Sequence, residues 1–401
     1  MKSSGIRKRW LGAGAAVTAM SLLAACSGGG SDPGGGDAYK VAIIADLTGS
    51  AATYMATGLP GTLTVIDRVN KDGGVHGHKI EITGTYDSGS TGTNATVAAR
   101  SAIGSEPNLI LNLSGDTSTA AVVPLVAKEK IPMLSTYLSA DLAAKAGGAA
   151  WGFIADQNQQ AQFALESVKS VLGKIQGARI AYEYIAESPS AGDLSKQTQH
   201  MAEAAGATTV DAQAVSYTAT SFASQAAHVA ALNPDLYVVS DGASAVQMVT
   251  RALRTAGWNG PVITAGDSAN AEADFKGIAD PKYYAPRAYQ AVTDTSEIAV
   301  QAKTFGHQPN GAYVPYGWSQ AEAAVAALGK CDTKCSAQTL TSIFSNLGEL
   351  VPSGNATVGP LLFQPGKATV VRTVQLYRWD AAEGATVPVG APYQAEPSVA
   401  H

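Results

Sequence analysis

Apolar positions along this chain follow two rhythms. Short, nearly unbroken apolar runs alternate with longer segments in which apolar residues recur every three to four positions. The runs read as strands buried on both faces, the longer segments as helices with one apolar stripe. "YKVAIIAD" (39–46) predicts a first strand and 58–70 a helix. A strand over 79–87 ("KIEITGTYD"), a helix near 93–103 and the strand "LILNL" follow. A helix from about 117 to 130 and the run "IPMLST" close this set.

A connecting strand over 151–156 leads into a second alternation. It predicts helices over 158–173 and 243–256 and strands over 178–186, 208–217, 235–242 and 261–267. Such alternation specifies parallel sheets covered by helices. The expected fold is therefore α/β: two doubly wound parallel-sheet lobes with a ligand cleft between them. Helices over 296–306, 316–329 and 336–348, and two strands around a Pro365-Gly366 turn within 359–380, have no βαβ core of their own. They are expected to return and complete the lobes. Lobe 1 would comprise 38–156 with about 294–350, and lobe 2 would comprise 157–293 with about 351–401.

The N-terminus stands apart. Lys2, Arg7, Lys8 and Arg9 precede 16 uncharged, mostly apolar residues, Trp10 to Ala25. That run is short of the roughly 20 residues a membrane-spanning helix needs. It ends in "LLAAC", which resembles the lipobox of bacterial lipoproteins. The resemblance implies a signal peptide over 1–25, cleavage before Cys26 and lipid on its sulfur. A Gly-rich tether over 26–37 would then join the body to the membrane. Cleavage takes the formal charge from −5 to −9. A chain so acidic, with no basic run after residue 9, is a poor nucleic-acid binder. Outside the cytoplasm, Cys331 and Cys335 in "CDTKC" are expected to form a disulfide. A metal would need two further ligands, and no His or Cys lies nearby.

Enzyme signatures are missing. There is no Gly-x-Ser-x-Gly elbow, and the Gly-Lys pairs at 173, 329 and 366 are never followed by Ser or Thr. No dinucleotide fingerprint joins a strand to a helix. His76 and His78 read as a polar turn before a strand. The sequence predicts no catalytic residue, cofactor or metal.

"ADLTGSAATY", "VNKDGGVHGHKIEI", "YDSGSTGTNATVAARSAI" and the 359–380 segment together resemble the branched-chain amino-acid-binding type of bacterial solute-binding protein. These are extracytoplasmic receptors for ABC importers with a type I periplasmic binding fold. The resemblance implies a monomer that meets a small-molecule solute and an ABC permease. Its pocket positions fall on Tyr54, on Asp116 beside Thr117 and Ser118, and on Tyr137 and Ser139. In the second lobe they fall near Ser190, on Gly242 beside Asp241, and on Asp267, the acidic position that commonly pairs with a ligand amine. Asp116 stands where the family has a small hydroxyl, and Gly242 where an aromatic often lies.

The residues also permit plainer roles. Asp116 or Thr117 would cap the helix that follows, Asp241 would cap the helix at Ala243, and Tyr54 and Tyr137 would be packing residues. The strand-end segments carry Asp46, Asp116, Asp141, Glu187, Asp193, Asp241, Asp267 and Glu272, and no Lys or Arg. That composition predicts a cationic, zwitterionic or donor-rich neutral ligand. The expected ligand is an amino acid, amide or related amine, held by hinged closure of the lobes. A ligand sensor on the same fold is the alternative function.

Overall fold

A computed structural model describes residues 38–396, apart from 217, 268, 332–334 and the side chain of Pro189. The leader, Cys26 and the tether lie outside the described residues. Lobe 1 opens with β1 (Tyr39–Ala45), α1 (Ala52–Met55), α2 (Leu59–Lys71), β2 (Ile80–Asp87) and α3 (Gly92–Gly104). It continues with β3 (Leu109–Leu113), α4 (Asp116–Glu129), β4 (Met133–Ser135), α5 (Ala140–Ala146) and β5 (Ala150–Gly152). These strands form a parallel sheet in the order β2-β1-β3-β4-β5. Every residue of β3 is buried, as a central parallel strand covered on both faces requires.

The chain then builds α6 (Gln157–Leu172), β6 (Arg179–Ile185), α7 (Pro189–Ala204), β7 (Thr208–Val215) and α8 (Ala223–Leu232). There follow β8 (Leu236–Ser240), α9 (Ala243–Thr255), β9 (Val262–Thr264), α10 (Glu272–Ile278) and β10 (Tyr283–Arg287). It returns to lobe 1 for α11 (Glu297–Thr304), α12 (Val314–Leu328), α13 (Ala337–Ser345), β11 (Gly348–Leu350) and β12 (Leu361–Phe363). It ends in lobe 2 with β13 (Thr373–Asp380) and β14 (Ala385–Gln394). The second sheet has the order β14-β13-β10-β9-β8-β6-β7, with β13 and β14 antiparallel at one edge.

Two glycines seat α12 against α2. A Cβ on Gly61 would lie 2.1 Å from the Val314 carbonyl oxygen, and one on Gly317 would lie 2.0 Å from that of Gly58. Only hydrogen side chains let these backbones approach so closely.

Two sequence expectations are corrected. The 359–380 segment is not a hairpin: β12 pairs with β11, and β13 pairs with β10 and β14. Between them the chain crosses between lobes. Thr369 bridges Gly152, and the Gln159 side chain donates to the Val371 carbonyl. Leu361, Phe363, Val370 and Val371 pack in the core of lobe 1, so the chain returns to lobe 2 near 372 rather than 351. Cys331 and Cys335 are joined, with Cα atoms 5.4 Å apart.

Candidate functional site

The parallel strands of both sheets run toward the cleft, and the loops after them supply its walls. The residue that follows β1, Asp46, is 1% exposed. Its Oδ1 accepts the Ser88 hydroxyl at 2.6 Å, the Ser90 amide at 2.9 Å and the Ser118 hydroxyl at 2.7 Å. Its Oδ2 accepts the Gly115 amide at 2.9 Å. One buried carboxylate thus ties together the loops that follow β1, β2 and β3. The Ser88 and Ser114 hydroxyls, 2.8 Å apart, extend the same network.

A tyrosine cluster forms the adjoining wall. Tyr54, on α1, is half exposed and lies 5.7 Å from Tyr313, centroid to centroid. Tyr313 stacks on Tyr316 at 4.7 Å, and Tyr316 on Tyr289 at 3.7 Å. The Tyr137 and Tyr313 hydroxyls are 3.0 Å apart. Burial holds the Tyr137, Tyr313 and Tyr316 hydroxyls above the ordinary phenol range, so they stay protonated. The Tyr316 hydroxyl donates across the cleft to Asp267 in lobe 2, whose other oxygen accepts the Asn270 amide at 2.6 Å.

Between these walls lies a cavity of about 770 Å³, inside the range of roughly 300–1,000 Å³ usual for small-molecule sites. Tyr54, Asp116, Tyr137, Ser139 and Tyr313 line it from lobe 1, and Ser190, Asp241, Gly242 and Asp267 from lobe 2. Among the described residues, no Lys, Arg or His lines it. Burial raises the Asp116 carboxyl, against the opposing pull of the Ser190 hydroxyl from the other lobe. Burial likewise raises Asp267, opposed by Tyr316, Asn270 and the charge of Arg287. Asp241 is pushed up to about 6 by burial and by Glu187, with the Gly242 amide opposing. Carboxyls shift upward in this way where burial outweighs any nearby positive charge.

A cavity between two α/β lobes, at the carboxyl ends of their strands, is a place for a solute. Residues 38–385 match the family model described as periplasmic binding protein. This chain belongs to that family. The family is one of binders rather than enzymes and works outside the cytoplasm. No curated protein matches the sequence.

Solved structures share the fold of this periplasmic binding protein. A branched-chain amino acid ABC transporter protein from Thermus thermophilus with bound valine is 15% identical, with TM-score 0.75 over 90% of this chain and 97% of that one. A fatty acid ABC transporter substrate-binding protein from Thermomonospora curvata is 19% identical, with TM-score 0.70 over 90% and 93%. An amino acid ABC transporter substrate-binding protein from Pseudomonas fluorescens is 13% identical, with TM-score 0.75 over 90% and 96%.

Most of the sequence-predicted pocket positions of this periplasmic binding protein meet at the cavity; two do not. Ser118 is turned inward onto Asp46, and Thr117 is exposed outside the lining. The reason is helical periodicity: α4 starts at Asp116, so successive side chains rotate by about 100° and only the first faces the cleft. The capping role open for Asp116 belongs to Gly115 instead, which offers no side chain. Ser139 lines the cavity while its hydroxyl caps α5 through the Leu142 amide at 3.3 Å. Asp241 accepts the Gly242 amide at 2.6 Å. Of the other acidic residues expected at the cleft, Asp141 and Asp193 are exposed beside Lys145 and Lys196. Glu272 bonds Thr386 and Arg287, Asp46 is internal, and Glu187 is not in the lining. Asp156 and Asp274 line the cavity instead. Sequence reasoning missed these two, together with Tyr313 and Tyr316. The aromatic-rich "AYVPYGW" (312–318) is the signal that marks the tyrosines.

Proposed function

We propose that this periplasmic binding protein is the solute-binding component of an ABC importer. Its solute is a small polar molecule of the amino acid, amide or amine kind. The cavity lined from both lobes carries the reading. A ligand that touches both walls gains contacts in the closed state that it lacks in the open one, and that difference drives closure. The crossings near residues 153–156, 288–296 and 364–372 would act as the hinge. The ABC transporter proteins of the same fold support the importer role.

Denaturing the purified protein and analysing what it releases by mass spectrometry is expected to yield such a solute. Adding that solute back is expected to lower the radius of gyration in small-angle scattering. An unchanged profile at saturation overturns closure.

We further propose that Cys26 carries lipid and that residues 26–37 tether the body to the cell membrane. Cys26→Ala is expected to move the protein from the membrane fraction to the soluble fraction with its thermal unfolding unchanged. Full retention on the membrane overturns the anchor.

A further inference from the structure

Each helix that starts at this cavity has one amide at its start engaged by a protein side chain, at α7 the Ala191 amide by the Ser188 hydroxyl. At α4 the Gly115 amide donates to Asp46, and at α9 the Gly242 amide donates to Asp241. At α6 the Gln159 amide donates to Asp156 at 2.9 Å. At the short α10 the Ala271 amide donates to Asp274 at 2.9 Å. Helix starts are the usual seats for a ligand carboxylate. Here protein carboxylates stand at four of those starts, on the Gly115, Gln159, Gly242 and Ala271 amides, where they repel an anion, and no basic side chain lines the cavity among the described residues to attract one.

The walls suit positive charge. Asp116 and Asp241 face the cavity from opposite lobes. Tyr54, Tyr137 and Tyr313 present aromatic surface beside Asp116, and tyrosine faces attract cations within about 6 Å. Ser240, 5% exposed, lines the lobe 2 wall with a hydroxyl that has no protein partner, an acceptor held ready for a donor.

Size supplies a separate argument. At about 30 Å³ per water molecule, taken as a ceiling for each heavy atom of a solute, nine heavy atoms (the number in leucine) occupy at most about 270 Å³. That is well under half of the 770 Å³ available. Part of the space arises at Gly242, where a Cβ would meet nothing within 4 Å. Its backbone is ordinary extended chain (φ −70°, ψ 160°), so glycine is not required there for conformation.

We infer that the solute is an extended aliphatic amine with cationic groups at both ends, one beside Asp116 and the tyrosines and the other at the Asp241 loop. This rests on the solute-binding reading above and names its substrate class.

Calorimetry on the purified protein at pH 7 tests it with spermidine, 1,4-diaminobutane, leucine and glutamate. Spermidine is expected to bind at least tenfold tighter than leucine or glutamate. Asp116→Ser is expected to weaken spermidine at least tenfold. Gly242→Phe, which fills the open space, is expected to weaken spermidine more than 1,4-diaminobutane, with its thermal unfolding close to that of the parent. Leucine binding tighter than spermidine overturns the inference, as does spermidine binding indifferent to both substitutions. Failure of both amines to bind also overturns it. In any of these cases, closure on leucine measured by scattering leaves the solute-binding reading standing, whereas no closure on any released solute removes both.

Discussion

Asp46→Ala is expected to lower the unfolding free energy by about 3–5 kcal/mol, the range for breaking a buried, hydrogen-bonded charge network. Two hydroxyls and two amides converge on this carboxylate in a site 1% exposed. Hydrogen bonds to a charged group contribute about 1.5–3 kcal/mol each, and a buried donor left alone costs about 1–3 kcal/mol. Asp46→Asn keeps the volume but turns an amide N–H toward groups that are themselves donors, so it recovers little. The loops after β1, β2 and β3 would lose their common tie, and solute affinity would fall along with stability. Chemical denaturation of both variants is the measurement. A loss below about 1 kcal/mol would show that water replaces the carboxylate oxygens at little cost.

Glu183→Gln is expected, unlike most core substitutions, to stabilise, and more so as pH rises. Glu183 lies on β6, fully buried, and accepts the Tyr237 hydroxyl at 2.8 Å. Burial, helped by Asp241 and opposed by Tyr237, pushes its carboxyl up to about 8. In the unfolded chain the group titrates near 4.3. The folded state therefore holds a proton that the unfolded state gives up. The parent loses stability from about pH 4.3 upward, at no more than about 1.4 kcal/mol per pH unit, and the loss levels off as pH passes the folded value. Glutamine has no such dependence. The stability difference between variant and parent is expected to grow by about 2–4 kcal/mol between pH 5 and pH 8. A difference that stays flat across that window means that Glu183 is not held protonated by the fold.

The fold was largely legible because parallel strands buried on both faces leave unbroken apolar runs such as "LILNL", and their helices leave stripes. The strand ends located the cleft as well, since open α/β sheets bind ligands there. It was the resemblance to the solute-binding family that then placed candidate positions on Asp116, Tyr137, Ser139, Asp241 and Asp267 within those ends. Two kinds of information were not legible. Helix phase at single-residue precision separates Asp116, facing the cavity, from Thr117 and Ser118, and a pattern of small polar residues does not encode where the first turn begins. Contacts made across most of the chain leave no local trace either. Tyr313 reaches the cavity, and Tyr316 reaches Asp267 on its wall, because α12 seats on α2 through Gly61 and Gly317, some 250 residues apart.

The seating of α12 has a consequence for how this molecule assembles. Lobe 1 starts at β1, but its α2 is covered by α11 and α12 only as residues 297–328 are made, and the second sheet lacks two strands until residue 394. Neither lobe is a continuous stretch of chain, so each must wait for segments made after most of the other. Closing a loop of about 250 residues adds roughly 5 kcal/mol of chain entropy, beyond a constant, before the contact repays it. Non-local topologies of this kind fold slowly. Lobe 1 is therefore expected to reach its native form only once residue 371 has emerged, and lobe 2 only once residue 394 has.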